Sequence, residues 1–216
     1  MNCKEYNTWI FDCDGVILDS NSIKTESFYE VALPYGKSHA EDLVSYHKQF
    51  GGVSRFKKFE YFFEDILGRV EYQKEFEEVA THFGEIALKK LLDCPLTEGL
   101  ISFLEYISNT EHKVVVSGGW QKELRCVFNK RRLDRYFDNI YGCPDSKIEI
   151  LQRKMNQGSL LLPAIFIGDS KYDYECARKF NIDFVFMHYY SEFDGWKDYF
   201  CNKPVSIISN LRELVC

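Results

Sequence analysis

Apolar positions along this chain fall into two regimes. Short continuous runs are bounded by turn residues, Gly or acids: Thr8-Trp-Ile-Phe-Asp12, Lys113-Val-Val-Val-Ser117, Ala164-Ile-Phe-Ile-Gly168, Asp183-Phe-Val-Phe-Met187 and, more weakly, Val205-Ser-Ile-Ile208. Runs of that length predict strands buried on both faces. Between them the spacing changes. Leu100, Phe103, Leu104 and Ile107 sit at i, i+3, i+4 and i+7, which predicts an amphipathic helix ahead of the Val114 strand. Another helix begins at Ile148, Ile150 and Leu151, and a third spans Tyr174 to Phe180. Strands alternating with helices imply right-handed crossovers and a doubly wound parallel α/β sheet, whose ligands bind beyond the carboxyl ends of the strands.

From about Ser20 to Leu92 no buried strand is evident and helical spacing dominates. Phe56, Phe59, Phe63, Ile66 and Leu67 form one stripe, and Tyr72, Phe76, Val79, Ala80, Phe83 and Ala87 form another. Glu75, Glu77, Glu78, Lys89 and Lys90 fit solvated helix faces. The segment therefore reads as a helical insert after the first strand, ending near Asp93-Cys94-Pro95.

Composition supports a folded chain: 45% of the 216 residues are hydrophobic and 16% aromatic. With 27 Lys plus Arg against 33 Asp plus Glu, the net charge of −6 argues against broad attraction to nucleic acid or anionic lipid. The first residues lack the basic flank and apolar run of a secretory signal, and no stretch is apolar enough to span a bilayer. The expectation is a soluble cytoplasmic protein, a monomer or weak homodimer, acting on a small molecule. Eight cysteines, Cys3, Cys13, Cys94, Cys126, Cys143, Cys176, Cys201 and Cys216, form no C-x-x-C pair and no zinc-like cluster, so reduced thiols are expected.

Chemistry concentrates where the predicted strands end. Asp12 and Asp14 follow the first strand and, by alternation, face the same side. Two carboxylates so close ionise together only around a cation. That arrangement suits a nucleophile beside a general acid, and also a calcium-like loop or a pair of capping acids. Ser117 and Gly118 offer a hydroxyl and backbone N–H groups after the second strand, which fits phosphate oxygens or an ordinary turn. Lys147 precedes a helical stretch and is either a solvated lysine or a fixed ammonium facing a phosphoryl group. Asp169 and Asp173, four positions apart across a strand-to-helix turn, suit Mg²⁺ or a helix cap.

The series Phe11-Asp12-Cys13-Asp14-Gly15-Val16-Ile17-Leu18-Asp19-Ser20, then Ser117, then Lys147, then Gly168-Asp169-Ser170-Lys171-Tyr172-Asp173 resembles the four motifs of haloacid dehalogenase-type phosphohydrolases. It is similar in particular to the phosphoglycolate phosphatase and β-phosphoglucomutase-like group with a helical cap. The resemblance implies a Rossmann-like core over residues 1–19 and 94–216 and a cap over 20–93. It implies an aspartyl-phosphate on Asp12, general acid/base action by Asp14, and a phosphoryl group held by Ser117 and Lys147. Mg²⁺ would be held by Asp12, the Asp14 carbonyl and Asp169, with Asp173 a ligand through water or an orienting partner. One departure is Ile148 after Lys147, where many relatives have Pro; this leaves Lys154 and Lys171 as competitors.

A closing cap carries specificity. Arg55 and Lys58, beside the Gly51-Gly52 pair, are proposed contacts to an anionic group of the substrate, or else solvated helix residues. Lys24 is a further candidate, His47 reads as an exposed helix residue before a catalytic one, and Trp120 as a border of the leaving group or as core. Hydrolysis of a sugar, polyol or similar small phosphomonoester is the leading expectation. The alternatives are a phosphomutase with the same intermediate and a non-enzymatic phospho-acceptor domain.

Overall fold

The computed structural model describes residues 6–107 and 112–215. Cys3 and Cys216 lie outside them; the other six cysteines are free thiols, four of them buried. Six strands form one sheet: β1 (Thr8–Phe11), β2 (His112–Trp120), β3 (Asn139–Cys143), β4 (Ala164–Gly168), β5 (Asp183–Met187) and β6 (Ser206–Ile208). Their spatial order is β3-β2-β1-β4-β5-β6 and every pairing is parallel. The chain leaves β1 toward one edge and, after β3, returns to build the other. The loops after β1 and β4 therefore diverge and open a crevice at the switch point.

The five expected strands are all present. β2 runs further than expected, through Gly118 and Gly119 to Trp120, with its register against β3 slipping between Val116 and Trp120. β3 was not expected: it is an edge strand in which Ile140 is buried but Asn139 is exposed and Tyr141 only half-buried, so no continuous apolar run marks it.

Helices α1 (Asn21–Ala32), α2 (Lys37–Gln49), α3 (Arg55–Tyr61) and α4 (Gln73–Leu91) follow β1 before the chain reaches β2. Then come α5 (Leu100–Tyr106), α6 (Gln121–Lys130), α7 (Lys147–Asn156), α8 (Lys171–Lys179) and α9 (Trp196–Phe200). Residues 62–66 form a π-helical turn after α3, which shifts the stripe so that Phe62 and Phe63 are both fully buried. One apolar cluster runs from Trp9 and Phe11 on the sheet through Phe28, Phe59 and Phe83 on the helices, whereas a second covers the opposite sheet face around Ile10, Phe166 and Phe186. Helices α7 and α8 start alike, because Ser146 with Glu149 and Ser170 with Asp173 close capping boxes that fix where Lys147 and Asp169 stand. Among the described residues no helix is long and apolar enough to cross a membrane.

Candidate active site

The floor of the crevice is built from strand ends. The Asp12 amide donates to the Ile167 carbonyl at 3.0 Å, so β4 extends its pairing one residue past β1 and aims the Asp12 side chain at Asp169. Carboxylate oxygens of Asp12, Asp169 and Asp173 lie within 4.8 Å of one another, and all three residues are buried. Lys147, 1% exposed, reaches them from the first turn of α7: its Nζ is 2.8 Å from Asp12 Oδ1 and 2.5 Å from Asp173 Oδ1. Lys154 lies over the Tyr141 ring instead, and Lys171 pairs with Glu175, so neither competes for that place.

Asp173 is fully engaged. Its other oxygen accepts from the Ser170 hydroxyl at 2.6 Å and the Ser170 amide at 3.2 Å, so this residue both caps α8 and holds Lys147. Asp169 Oδ2 accepts from Asn21 Nδ2 at 2.6 Å, and the same amide reaches the Tyr190 carbonyl at 2.7 Å. Gly15 lies against this pair with a φ of +76°, where a Cβ would strike both Asn21 and Asp169.

One ammonium among three buried carboxylates explains the protonation pattern. Burial pushes the Asp12 carboxyl up to about 7; Lys147 opposes that rise, and Asp173 and Asp14 add to it. Asp169 is held well above the usual carboxylate range by burial first and then by Asp12 and Asp173. Burial works against the charge of Lys147 too, but Asp12 and Asp173 together outweigh it and raise its pKa. The lysine is oversupplied with counter-charge while the acids are undersupplied.

Above this floor a cavity partly open to solvent is lined by Asp12, Asp14, Asp169 and Gly118 from the sheet side. From the helices come Lys24, His47, Arg55 and Lys58, with Phe28 and Phe83 as apolar wall. Asp14 Oδ1 accepts from the Ser20 hydroxyl at 2.6 Å, and Lys24 Nζ stands 3.7 Å from its other oxygen. Ser117 is buried, its hydroxyl accepting from the Gly119 amide at 3.0 Å.

Arg55 and Lys58 are not solvated helix residues: both are buried. Arg55 pairs with Glu123 of α6 at 2.5 Å and lies over the Phe83 ring at 5.1 Å and the Trp120 ring at 5.7 Å, which gives Trp120 a packing role. Burial lowers Lys58 to about 7, and its Nζ is 2.7 Å from His47 Nδ1. His47 is also buried, against the expectation of an exposed residue, because α2 turns it inward onto Phe28, ring centroids 4.5 Å apart. Asn21, Glu123 and Glu192 complete the site and carried no local signal, since each is defined only by a partner far away in sequence.

Comparison with known proteins agrees with this geometry. The haloacid dehalogenase-like hydrolase family model matches residues 9–187, most of the chain. This chain belongs to that family. A phosphorylated carbohydrates phosphatase of Thermotoga maritima is 27% identical over 201 residues, covering 86% of this chain and 87% of the relative. In fold the chain resembles a haloacid dehalogenase-like hydrolase from Bacteroides fragilis, with a TM-score of 0.76, 18% identity, and 98% and 100% of the two chains covered. It also resembles the hydrolase YfnB of Bacillus subtilis, solved bound to magnesium, with a TM-score of 0.67, 14% identity and 97% of each chain covered. Family and phosphatase relative together make this haloacid dehalogenase-like protein a hydrolase of the phosphatase type.

Proposed function

We propose that the protein is a Mg²⁺-dependent phosphatase of a small phosphomonoester, a sugar, polyol or similar metabolite phosphate, working through an aspartyl-phosphate on Asp12. The observation that carries this reading is the convergence of Asp12 and Asp169, from two adjacent strand ends, beside Lys147 at the floor of a cavity partly open to solvent. A free Asp12 Oδ2 attacks phosphorus while Lys147 holds Oδ1, and the Asp12–P bond forms as the ester P–O bond breaks. Asp14, facing the same cavity, protonates the departing alkoxide. It then takes a proton from the water that attacks phosphorus, releasing phosphate and restoring Asp12. Lys147, the Ser117 hydroxyl and the Gly118 backbone N–H hold the phosphoryl oxygens.

The donor set suits a hard divalent cation. Asp12, Asp169 and the Asp14 main-chain carbonyl offer oxygens only, as Mg²⁺ prefers, and the acids at this floor lack compensating positive charge. When bound, Mg²⁺ supplies the charge that keeps Asp12 ionised and offsets the phosphoryl oxygens. Asp173, which accepts from Lys147 at one oxygen and from Ser170 at the other, is assigned to orienting Lys147 and to meeting the ion through water.

Residues 20–93 act in this reading as a cap over the core formed by 1–19 and 94–216. Support comes from the cavity lining, whose far wall is drawn from α1, α2 and α3, and from Arg55, which faces the cavity while anchored on Glu123 of the core. Arg55, with Lys58 behind it, is assigned to the part of the substrate that is not transferred. The test is phosphate release from sugar, polyol, amino-alcohol and nucleotide monophosphates, with Mg²⁺ and again after EDTA. Mg²⁺-dependent release from at least one small ester supports the reading. Release indifferent to chelation, or none from any ester, overturns it, and an isomeric sugar phosphate without net release identifies a mutase.

A further inference from the structure

Two buried residues of the cavity wall carry polar atoms without a hydrogen-bond partner among the described residues: Arg55, whose charge is met by Glu123, and His47. His47 Nδ1 is taken by Lys58 Nζ at 2.7 Å, yet Nε2 of the same ring has no hydrogen-bond partner among the described residues. While Lys58 keeps its proton it is a donor only, so Nδ1 accepts and the proton of the neutral ring belongs on Nε2. Burial, with Lys58, Lys24 and Lys48 acting in the same direction, keeps that ring neutral. His47 thus helps to line the cavity while its Nε2 is a buried N–H without a hydrogen-bond partner among the described residues.

Opposite it stands an acceptor from the other side of the crevice. Glu192, in the segment after β5, also lines the cavity, and its Oε2 lies 3.8 Å from His47 Nε2. The separation is too long for a direct hydrogen bond, but an oxygen about 2.9 Å from each atom closes it. Glu192 is itself fixed: Oε2 accepts from the Thr25 hydroxyl at 2.6 Å, and Oε1 lies 3.7 Å from Lys48 Nζ. Donor and acceptor are therefore both held by neighbours before any ligand arrives.

A hydroxyl is the group that uses both sides, accepting from an N–H while donating to a carboxylate. A carboxylate or second phosphate in the same place would face Glu192 with like charge, and a methyl group would leave the buried N–H as unpaired as before and gain nothing from it. We propose that His47 and Glu192 form a clamp for a hydroxyl on the non-transferred part of the substrate, selecting polyol or sugar monophosphates over unhydroxylated or acidic ones. This rests on the phosphatase reading above. Because His47 and Thr25 belong to α2 and α1 while Glu192 follows β5, a bound hydroxyl also ties the helical segment to the sheet.

The experiment measures kcat/KM, with Mg²⁺, for two matched pairs, glycerol 3-phosphate against propyl phosphate and ribitol 5-phosphate against pentyl phosphate, with p-nitrophenyl phosphate as an ester needing no clamp. The wild type is expected to favour the hydroxylated member of at least one pair by about tenfold or more, the discrimination of a site built to bond a hydroxyl. Glu192→Ala and His47→Phe are expected to collapse that ratio toward one through KM. His47→Gln, which restores an N–H near the Nε2 position, should recover part of it. Ratios below about threefold in both pairs, no turnover of any alkyl phosphate while the aryl ester is cleaved, or a ratio that survives Glu192→Ala overturn the clamp. Absence of aryl phosphate hydrolysis as well overturns the phosphatase reading, and the clamp with it.

Discussion

At the floor of the cavity three carboxylates share one ammonium, whereas on its roof the cations have partners of their own. Asp12, Asp169 and Asp173 crowd around Lys147, and burial drives Asp12 and Asp169 toward their protonated forms. Overhead, Arg55 is neutralised by Glu123, Lys48 stands by Glu192, and Lys58 is spent on His47. A surplus of buried acid can persist only where a cation or a proton offsets it. The floor is therefore balanced by protons or, in the proposed reading, by a bound cation, and the roof is suited to read shape and hydrogen bonds. Substitutions at the floor should act on the rate of chemistry and those on the roof on KM.

The largest effect belongs to Asp12, the proposed nucleophile. Asp12→Asn should lower kcat by at least about a thousandfold, because an amide closes the covalent route. The folded state should survive, since a neutral group relieves the burial cost that Asp12 carries. Turnover near wild type in a folded variant would remove Asp12 from the mechanism. Lys147→Ala comes next, with kcat down by on the order of a hundredfold from the loss of a charge at the phosphoryl group. Its melting temperature should also fall, since three acids are left without their ammonium and breaking a buried pair costs about 3–5 kcal/mol. An unchanged thermal melt would show that Lys147 does not hold the floor together.

How much of this was legible depended on whether the signal was local. The strands β1, β4 and β5 declared themselves because both faces of the sheet are covered and every position must be apolar. β3 did not, since its Asn139, Tyr141 and Gly142 sit at an edge. Asp12, Asp14, Asp169 and Asp173 were found by their places after predicted strands and Lys147 by its place ahead of a helical stretch, and the fold brings them to one crevice. Glu123 and Glu192 were invisible because each acquires meaning only from Arg55 or His47, brought near by packing rather than by sequence. The inward turn of His47 had the same origin: the α2 face that α1 and α3 cover is set by Phe28 and Phe59, not by the residues flanking His47.

A subtler comparison of floor and roof comes from pH. Asp12 must lose its proton to serve an ion, and burial places that loss at about 7. Apparent Mg²⁺ affinity, followed by calorimetry, should therefore fall as the pH drops through 7, by about tenfold per unit for the Asp12 proton alone and more steeply because Asp169, also held up by burial, must release a proton too. Affinity flat from pH 8 down to pH 5.5 would mean that the ion does not compete with a proton on Asp12, and would argue for a site elsewhere.

The smallest and most discriminating effect is expected at the roof. Arg55 lies over the rings of Phe83, Phe56 and Trp120 and is held by Glu123, so its guanidinium is fixed before substrate binds. A prepositioned cation that touches only the non-transferred part of the substrate contributes equally to ground state and transition state, and its removal appears in KM. Arg55→Ala should raise KM by about tenfold while kcat stays within about threefold. Arg55→Lys should recover little of that, because an ammonium cannot lie flat against the aromatic wall and face Glu123 at the same time. If instead kcat falls and KM holds, Arg55 acts on the reacting phosphorus, and the division between a floor that does chemistry and a roof that selects breaks down at this residue.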